Sequence, residues 1–368
     1  MNKKFQKPQL KVGKPRLLKV PKRFRRANKE ERSQEAFQSL PRITNETVAE
    51  HREEVLSTAR KYIYPLEHSK HRIVVVSVSL LVTAVVGFFV YCGLALYKFQ
   101  SSSAFVYRVT QVLPFPVAKA GGSYVAYENY LFELRRYQHY YQSQQRVNFT
   151  TESGKQQLAS YKPRAMKEVV DAAYVKKLAS KNKVTVTDKE ITAALDALRT
   201  QNKLGSTNQE LADVTNEFFG WSIDDLKREL KQELLAQKVA AKLDTATQAK
   251  AQAALTQLRA GTDFATLVTQ FSDDAASKAS GGQYADKAIT LASADVPSAV
   301  VQALLKLQVG QTSDVVMAGS TLEIVKLTAN DDGKLQASHI SFQLKDISTY
   351  VSPLQKTSPT HYYISVKK

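Results

Sequence analysis

The side chains best able to do covalent or metal chemistry are few and scattered in this 368-residue chain. There is one cysteine, Cys92, and there are six histidines, at positions 51, 68, 71, 139, 339 and 361. Cys92 lies inside an uncharged apolar run, so it has no disulfide partner and no second thiol with which to hold a metal. It also stands far from the start, with no short signal peptide ahead of it, which argues against a lipoprotein anchor. The histidines are too dispersed to read as a metal site, and no cofactor is expected. The signatures G-x-x-x-x-G-K-[ST], G-x-S-x-G and H-E-x-x-H, which would cradle phosphate, expose a nucleophile or ligate zinc, do not occur.

Charge and hydropathy show what carries these residues. The formal net charge is +18, and residues 1–72 hold 19 Lys+Arg against 8 Asp+Glu. Residues 1–29 have 12 basic residues, no acid, and prolines at 8, 15 and 21. Few large apolar residues accompany them, so disorder is expected there. Residues 30–63 read as partly helical, broken at Pro41. This cytoplasmic tail admits three readings. It is an orientation signal with a solvated face, a patch attracted to anionic lipid headgroups at roughly 1 kcal/mol per basic residue near the surface, or a nucleic-acid tether. No aromatic interleaving or nucleic-acid fold supports the last.

Residues 73–97, IVVVSVSLLVTAVVGFFVYCGLALY, are 25 residues without a charge. A helix needs about 20 residues to cross a bilayer core of ~30 Å. Core helices of soluble proteins seldom run this long with apolar residues on every face. Lys70, His71 and Arg72 precede the run, and only Lys98 and Arg108 closely follow it. The positive-inside rule then puts the N-terminus in the cytoplasm and the remainder outside. The chain is read as a single-pass membrane protein of the cell membrane with an extracytoplasmic C-terminal domain.

Beyond the span, residues 104–123 show strand-like stretches (Phe105–Val109) broken by Pro114 and Pro116. A helical pattern follows from Tyr124, with Tyr127, Leu131, Leu134 and Tyr137 spaced by three and four. The tyrosines at 127, 130, 137, 140 and 141 read as core. The next helix, within 154–182, is expected to start near Pro163, with Met166, Val169, Val170, Ala173, Tyr174 and Leu178 on one stripe. Thr187 with Glu190, and Ser222 with Asp225, form capping boxes that open two further helices.

The run KEVVDAAYVKKLASKNKVTVTDKEITAALDAL, continued by FFGWSIDDLKRELKQELLAQKVAAKL, resembles the N-terminal helical domain of SurA/PrsA-type extracytoplasmic foldases. The resemblance implies an all-α chaperone domain that cradles unfolded exported chains against apolar surface. A second run, LTQLRAGTDFATLVTQFSDDAASKASGGQYADK, continued by VVQALLKLQVGQTSDVVMAGSTLEIVKL, resembles the parvulin (PpiC-type) peptidyl-prolyl isomerases. That implies an α+β domain with a small antiparallel sheet.

Two departures from the parvulin pattern stand out. A parvulin opens with a strand "a-x-H-I-l", and none precedes residue 247. The segment Leu335–Phe342 carries Ala337-Ser338-His339-Ile340 instead, joined to the strand Leu322–Leu327 by the hairpin-type sequence Ala329-Asn330-Asp331-Asp332-Gly333. A circularly permuted sheet is expected, with 335–343 paired to 321–328. The alternative is that 335–368 begins a truncated second parvulin. The other departure is chemical. Parvulins frame the prolyl bond with two histidines, a Cys or Asp, and an apolar Met/Phe pocket. The resemblance places His339 at the first histidine and Asp274 at the Cys/Asp, so these two are the candidate catalytic residues. The second histidine falls on Glu323, the methionine near Val296 and the phenylalanine near Val300. With Phe271, these form the candidate substrate-binding set.

The expected organisation is a basic tail (1–72), a transmembrane helix (73–97), a helical domain (98–245), a parvulin-like domain (246–345) and a C-terminal extension (346–368). The function implied is a membrane-anchored foldase acting on unfolded or X-Pro-containing exported polypeptides. The alternative is an inactive parvulin-fold holdase or envelope scaffold, which Glu323 and Val300 favour.

Overall fold

A computed structural model describes residues 44–63, 66–201 and 207–366. The stretch expected to be disordered, 1–29, and the helix break expected at Pro41 lie outside these residues. The chain divides into two units, Met1–Val85 and Val86–Lys368. The first contains α1 (Asn45–Ile63), exposed from Asn45 to Thr58, and the first part of α2 (Leu66–Gly93). Among the described residues one helix, His71–Lys98, is long and apolar enough to cross a membrane, and the window that qualifies it is 0% buried.

The second unit begins with the last turns of that helix, which pass into a π-helical turn at Leu94–Lys98. Here the apolar run stops being solvent-facing. Leu96 is fully buried, and its carbonyl accepts from the Tyr127 hydroxyl at 2.7 Å. The Tyr97 hydroxyl donates to the Pro116 carbonyl at 2.8 Å. The run is therefore both an apolar rod and, at its end, part of a globular core.

Residues 104–112 form a helix, α3 (Ala104–Val112), where strands were expected. The Ser103 hydroxyl caps it by accepting from Val106 N–H, and Val106 and Thr110, four apart, are buried. Local capping outweighs the β propensity of a Phe-Val-Tyr run. β1 (Pro116–Ala120) and β2 (Ser123–Ala126) form a hairpin. α4 (Tyr127–Gln144) and α5 (Glu152–Lys181) carry the tyrosine core, in which Tyr127, Tyr130 and Tyr174 are fully buried. α5 starts eleven residues before Pro163, because Thr151 accepts from Gly154 N–H as an N-cap. Pro163 sits inside the helix, between buried Tyr161 and Ala165.

Both expected capping boxes are present, on α6 (Asp188–Thr200) and α8 (Ile223–Leu243). A third, Thr207 with Glu210, opens α7 (Asn208–Phe219). Arg228 on α8 makes a bidentate pair with Glu128 on α4, at 2.7 and 2.9 Å.

The second module runs from α9 (Thr245–Arg259) through α10 (Phe264–Phe271), the single turn α11 (Ala275–Lys278) and α12 (Ser298–Leu304) to β3 (Val316–Ala318), β4 (Thr321–Asp331) and β5 (Lys334–Gln343). The sheet order is β3-β4-β5, all antiparallel. Alternation divides it. Leu322, Ile324, Ile340 and Phe342 pack with Leu255, Phe264, Leu267 and Val268, while Val325, Leu327, Leu335 and Ala337 pack with Val296, Val300, Val301 and Leu304.

Residues 346–368 do not start a second parvulin. α13 (Ser348–Thr357) and β6 (His361–Tyr362) return to the helical module. β6 pairs with β1, and Val351 and Ile364 join the core that holds Leu96, Tyr127 and Tyr174. The Tyr174 hydroxyl donates to the Ser358 carbonyl at 2.5 Å.

Candidate active site

The hairpin expected from Ala329–Gly333 forms, and it sets His339 on β5 beside β4. β5 pairs with β4 from Lys334 to Gln343, with His339 opposite Val325 and Ser341 opposite Glu323. Opposed residues share a face, so Glu323, Val325, His339 and Ser341 point the same way. The other edge of β5 is closed by the segment after α10. Ser341 N–H donates to Ser272 Oγ at 3.2 Å, Asp273 N–H to the Ser341 carbonyl at 2.7 Å, and His339 N–H to the Gly282 carbonyl at 2.7 Å. Tyr284 N–H donates to the Ala337 carbonyl, and Leu335 and Ile289 exchange two further bonds. β5 is thus the last strand of the sheet, with its outer edge covered by the segment after α10.

Those edge contacts place Asp274 beside His339. Asp274 caps α11, accepting from Ala276 N–H at 3.1 Å and from the Ser277 hydroxyl at 2.5 Å. His339 Nε2 lies 3.1 Å from Asp274 Oδ2 and 3.1 Å from Ser277 Oγ. Its Nδ1 lies 3.1 Å from Glu323 Oε2. Each ring nitrogen therefore faces a carboxylate, an arrangement in which both N–H groups donate and the imidazolium is the fitting species.

Burial opposes a charge on His339, but the hydrogen bonds and fields of Glu323 and Asp274 outweigh it and raise the imidazole pKa. Burial likewise works against ionised Glu323. Bonds from His339, Tyr284 and Thr321 reverse this and hold its carboxyl below the usual carboxylate range. The Ser277 hydroxyl, then the Ala276 N–H and His339, lower the Asp274 carboxyl against the effect of burial. Tyr284 donates to Glu323, and its ring centroid lies 4.2 Å from that of His339. Burial and the adjacent carboxylate push its own pKa far up. With two carboxylates around one imidazolium, the cluster keeps a residual negative charge. Side-chain exposure is 10% for His339 and 6% for Glu323, against 32% for Asp274, so Asp274 is the member open to solvent.

Three of the six sequence-derived candidates, Asp274, His339 and Glu323, meet at this point. The other three do not. Val296 and Val300 are 1% and 0% exposed inside the core under α12, so they fill the sheet's hydrophobic layer rather than line an open pocket. Phe271 is half-buried against the core on the opposite face. Ser277, Tyr284 and Thr321 complete the cluster and were missed by sequence reasoning. Thr321 had a signal, since a period of two along β4 puts it beside Glu323. Among the described residues no group of three or more His, Cys, Asp and Glu is arranged to hold a metal ion.

Known proteins fit this architecture. Residues 67–240 match the family model described as the SurA-like N-terminal domain, and residues 232–329 match that of the PPIC-type PPIASE domain. The second match stops short of β5, the strand that carries His339. In kind and order the two matches resemble a parvulin foldase of the SurA/PrsA type, a SurA-like N-terminal domain followed by a PPIC-type domain. The chaperone SurA of Albidiferax ferrireducens is 39% identical over 113 residues, 30% of this chain and 24% of that protein. The chain thus spans about a quarter of the length of the curated relative it matches. The crystal structure of foldase protein PrsA from Streptococcus pneumoniae is 18% identical, covering 57% of this chain and 84% of that one, with a TM-score of 0.18, too low to bear on the fold.

Proposed function

We propose that the chain is a membrane-anchored extracytoplasmic foldase, a peptidyl-prolyl cis-trans isomerase and chaperone for exported polypeptides. The observation that carries this is the His339 cluster, set between β4 and β5 of an antiparallel sheet whose chain is continuous with a SurA-like helical region. Isomerisation breaks no bond. The catalyst must desolvate the prolyl amide and favour its twisted form against a barrier of ~18–20 kcal/mol. In this reading Asp274 meets the substrate, and His339 stands behind it with Glu323 holding the imidazolium. The helical module binds the unfolded segment. The apolar helix supplies the anchor, and the flanking charge favours a cytoplasmic N-terminus. The basic tail adds attraction to anionic headgroups on that side.

A second reading, a holdase without catalysis, is favoured by one observation. Val296 and Val300, where the family has its pocket Met and Phe, are sealed inside the core. The full chain in detergent or nanodiscs, added to a protein whose refolding is limited by proline isomerisation, separates the two. Acceleration of the slow phase supports the isomerase. Suppressed aggregation with an unchanged slow phase would leave the holdase.

A further inference from the structure

α3 is amphipathic in an unusual sense, since the face turned away from the core is itself apolar and basic. Val106 and Thr110 point inward, while Phe105, Arg108 and Val112 are exposed, with Val109 half-exposed between them. At about 100° per residue these four fall on one arc roughly 100° wide. Phe105 is 55% exposed and Val112 81%. This face continues directly into the apolar helix. The Phe105 ring centroid lies 6.3 Å from that of Tyr91, and Phe99, 69% exposed, follows the π-helical turn beneath Lys98. No acidic residue occurs between Glu67 and Glu128. At the end of the helix Leu96 and Tyr97 are bonded into the domain through Tyr127 and Pro116.

We infer that the outer face of α3, with Phe99, is a second membrane contact that lies in the lipid interface beside the emergence of the span. This rests on the reading of 73–97 as a membrane helix. The chemistry fits a lipid surface: Phe and Val enter the acyl boundary, while Lys98 and Arg108 extend toward the headgroups. A helix set in the interface close after the span would hold the client-binding module against the bilayer, where exported chains emerge.

The test uses the full chain in vesicles of mixed zwitterionic and anionic lipid, with and without bromine on the acyl chains. Single tryptophans are introduced as Val112→Trp, Val82→Trp within the span and Val309→Trp in the second module. Native Trp221, buried and stacked on Phe132, supplies a constant background. Blue-shifted emission quenched by brominated lipid is expected for Val82→Trp and Val112→Trp but not for Val309→Trp. Quenching at Val82→Trp with Val112→Trp as insensitive as Val309→Trp would overturn the inference and leave the span intact. No quenching at either would overturn the span and this contact with it. A blue shift at Val112→Trp that is unquenched and lost on dilution would assign the face to a second copy of the chain.

Discussion

A side chain at Gly282 would begin 2.3 Å from the backbone carbonyl oxygen of His339. Gly282 also has φ +80° and accepts the His339 N–H. This residue fixes how closely the loop after α11 approaches β5, and so where Asp274 stands relative to the imidazole. Gly282→Ala combines a left-handed backbone penalty of about 1–2 kcal/mol with a backbone clash that must move the strand or the loop. We expect at least about 2 kcal/mol lost in urea unfolding and a disrupted site. Gly281→Ala has φ +64° but meets only the Ala265 Cβ at 3.5 Å, so it should lose about half as much. Equal losses would contradict the close-approach argument.

The imidazolium between Glu323 and Asp274 sets a pH window. The folded pKa of His339 is raised, so its stabilising contribution is complete below the unfolded value of about 6.5 and is lost as pH rises through the folded value. Those of Glu323 and Asp274 are lowered, so theirs is present above about pH 4 and lost in acid. Replacing His339 by Gln leaves Glu323 buried without its cation, at roughly 3 kcal/mol. The deficit should be largest between about pH 5 and 6.5 and shrink as pH rises. Denaturant midpoints for both proteins at several pH values measure it. A deficit independent of pH would mean that His339 is neutral.

Glu133 on α4 behaves in the opposite sense. Burial pushes its carboxyl up to about 7 despite Arg136 at 2.9 Å, with Glu229 and Glu168 adding to the rise. A carboxyl with a raised folded pKa weakens the fold as it ionises, so its contribution falls as pH climbs from about 4.5 toward 7. Glu133→Gln should therefore gain on the parent chain as pH rises through that range. A difference that is flat with pH, followed by thermal unfolding in parallel, would show that the carboxyl is ionised throughout.

Leu96 belongs to the apolar run by composition and to the core by position. Leu96→Ala should cost about 2–5 kcal/mol in the helical module, whereas Leu80→Ala, 66% exposed in the span, should leave its unfolding unchanged. By the same logic, a fragment beginning at residue 100 should unfold at lower denaturant than the full chain. Identical midpoints would mean that the buried end of the helix is dispensable.

Elements whose signals were local were legible in the sequence. The capping boxes at Thr187 and Ser222, the stripe on α5 and the hairpin after Ala329 all depend on residues a few positions apart. What was misread depended on competition or distance. The Phe-Val-Tyr run of α3 looks extended until Ser103 is weighed as a cap. Val296 and Val300 looked like a pocket because alignment to a pattern says nothing about which face of a helix meets the sheet. The return of β6 to β1, 244 residues apart at Ala118–Tyr362 and 242 at Lys119–His361, leaves no trace in either segment. Asp274, His339 and Glu323 were found together only because each matched, or replaced, a position of a known motif. Tyr284, outside that motif, was invisible although it donates to Glu323.

We propose that the His339 cluster serves prolyl isomerisation. The most direct test is the cis-to-trans rate of a short X-Pro peptide with the full chain, beside Asp274→Ala and His339→Ala variants shown by circular dichroism to be folded. Acceleration proportional to protein concentration is expected, with a loss of about tenfold or more in either variant, of the size positioned polar groups contribute. A parent chain that leaves the uncatalysed rate unchanged, or variants as active as the parent, would contradict it.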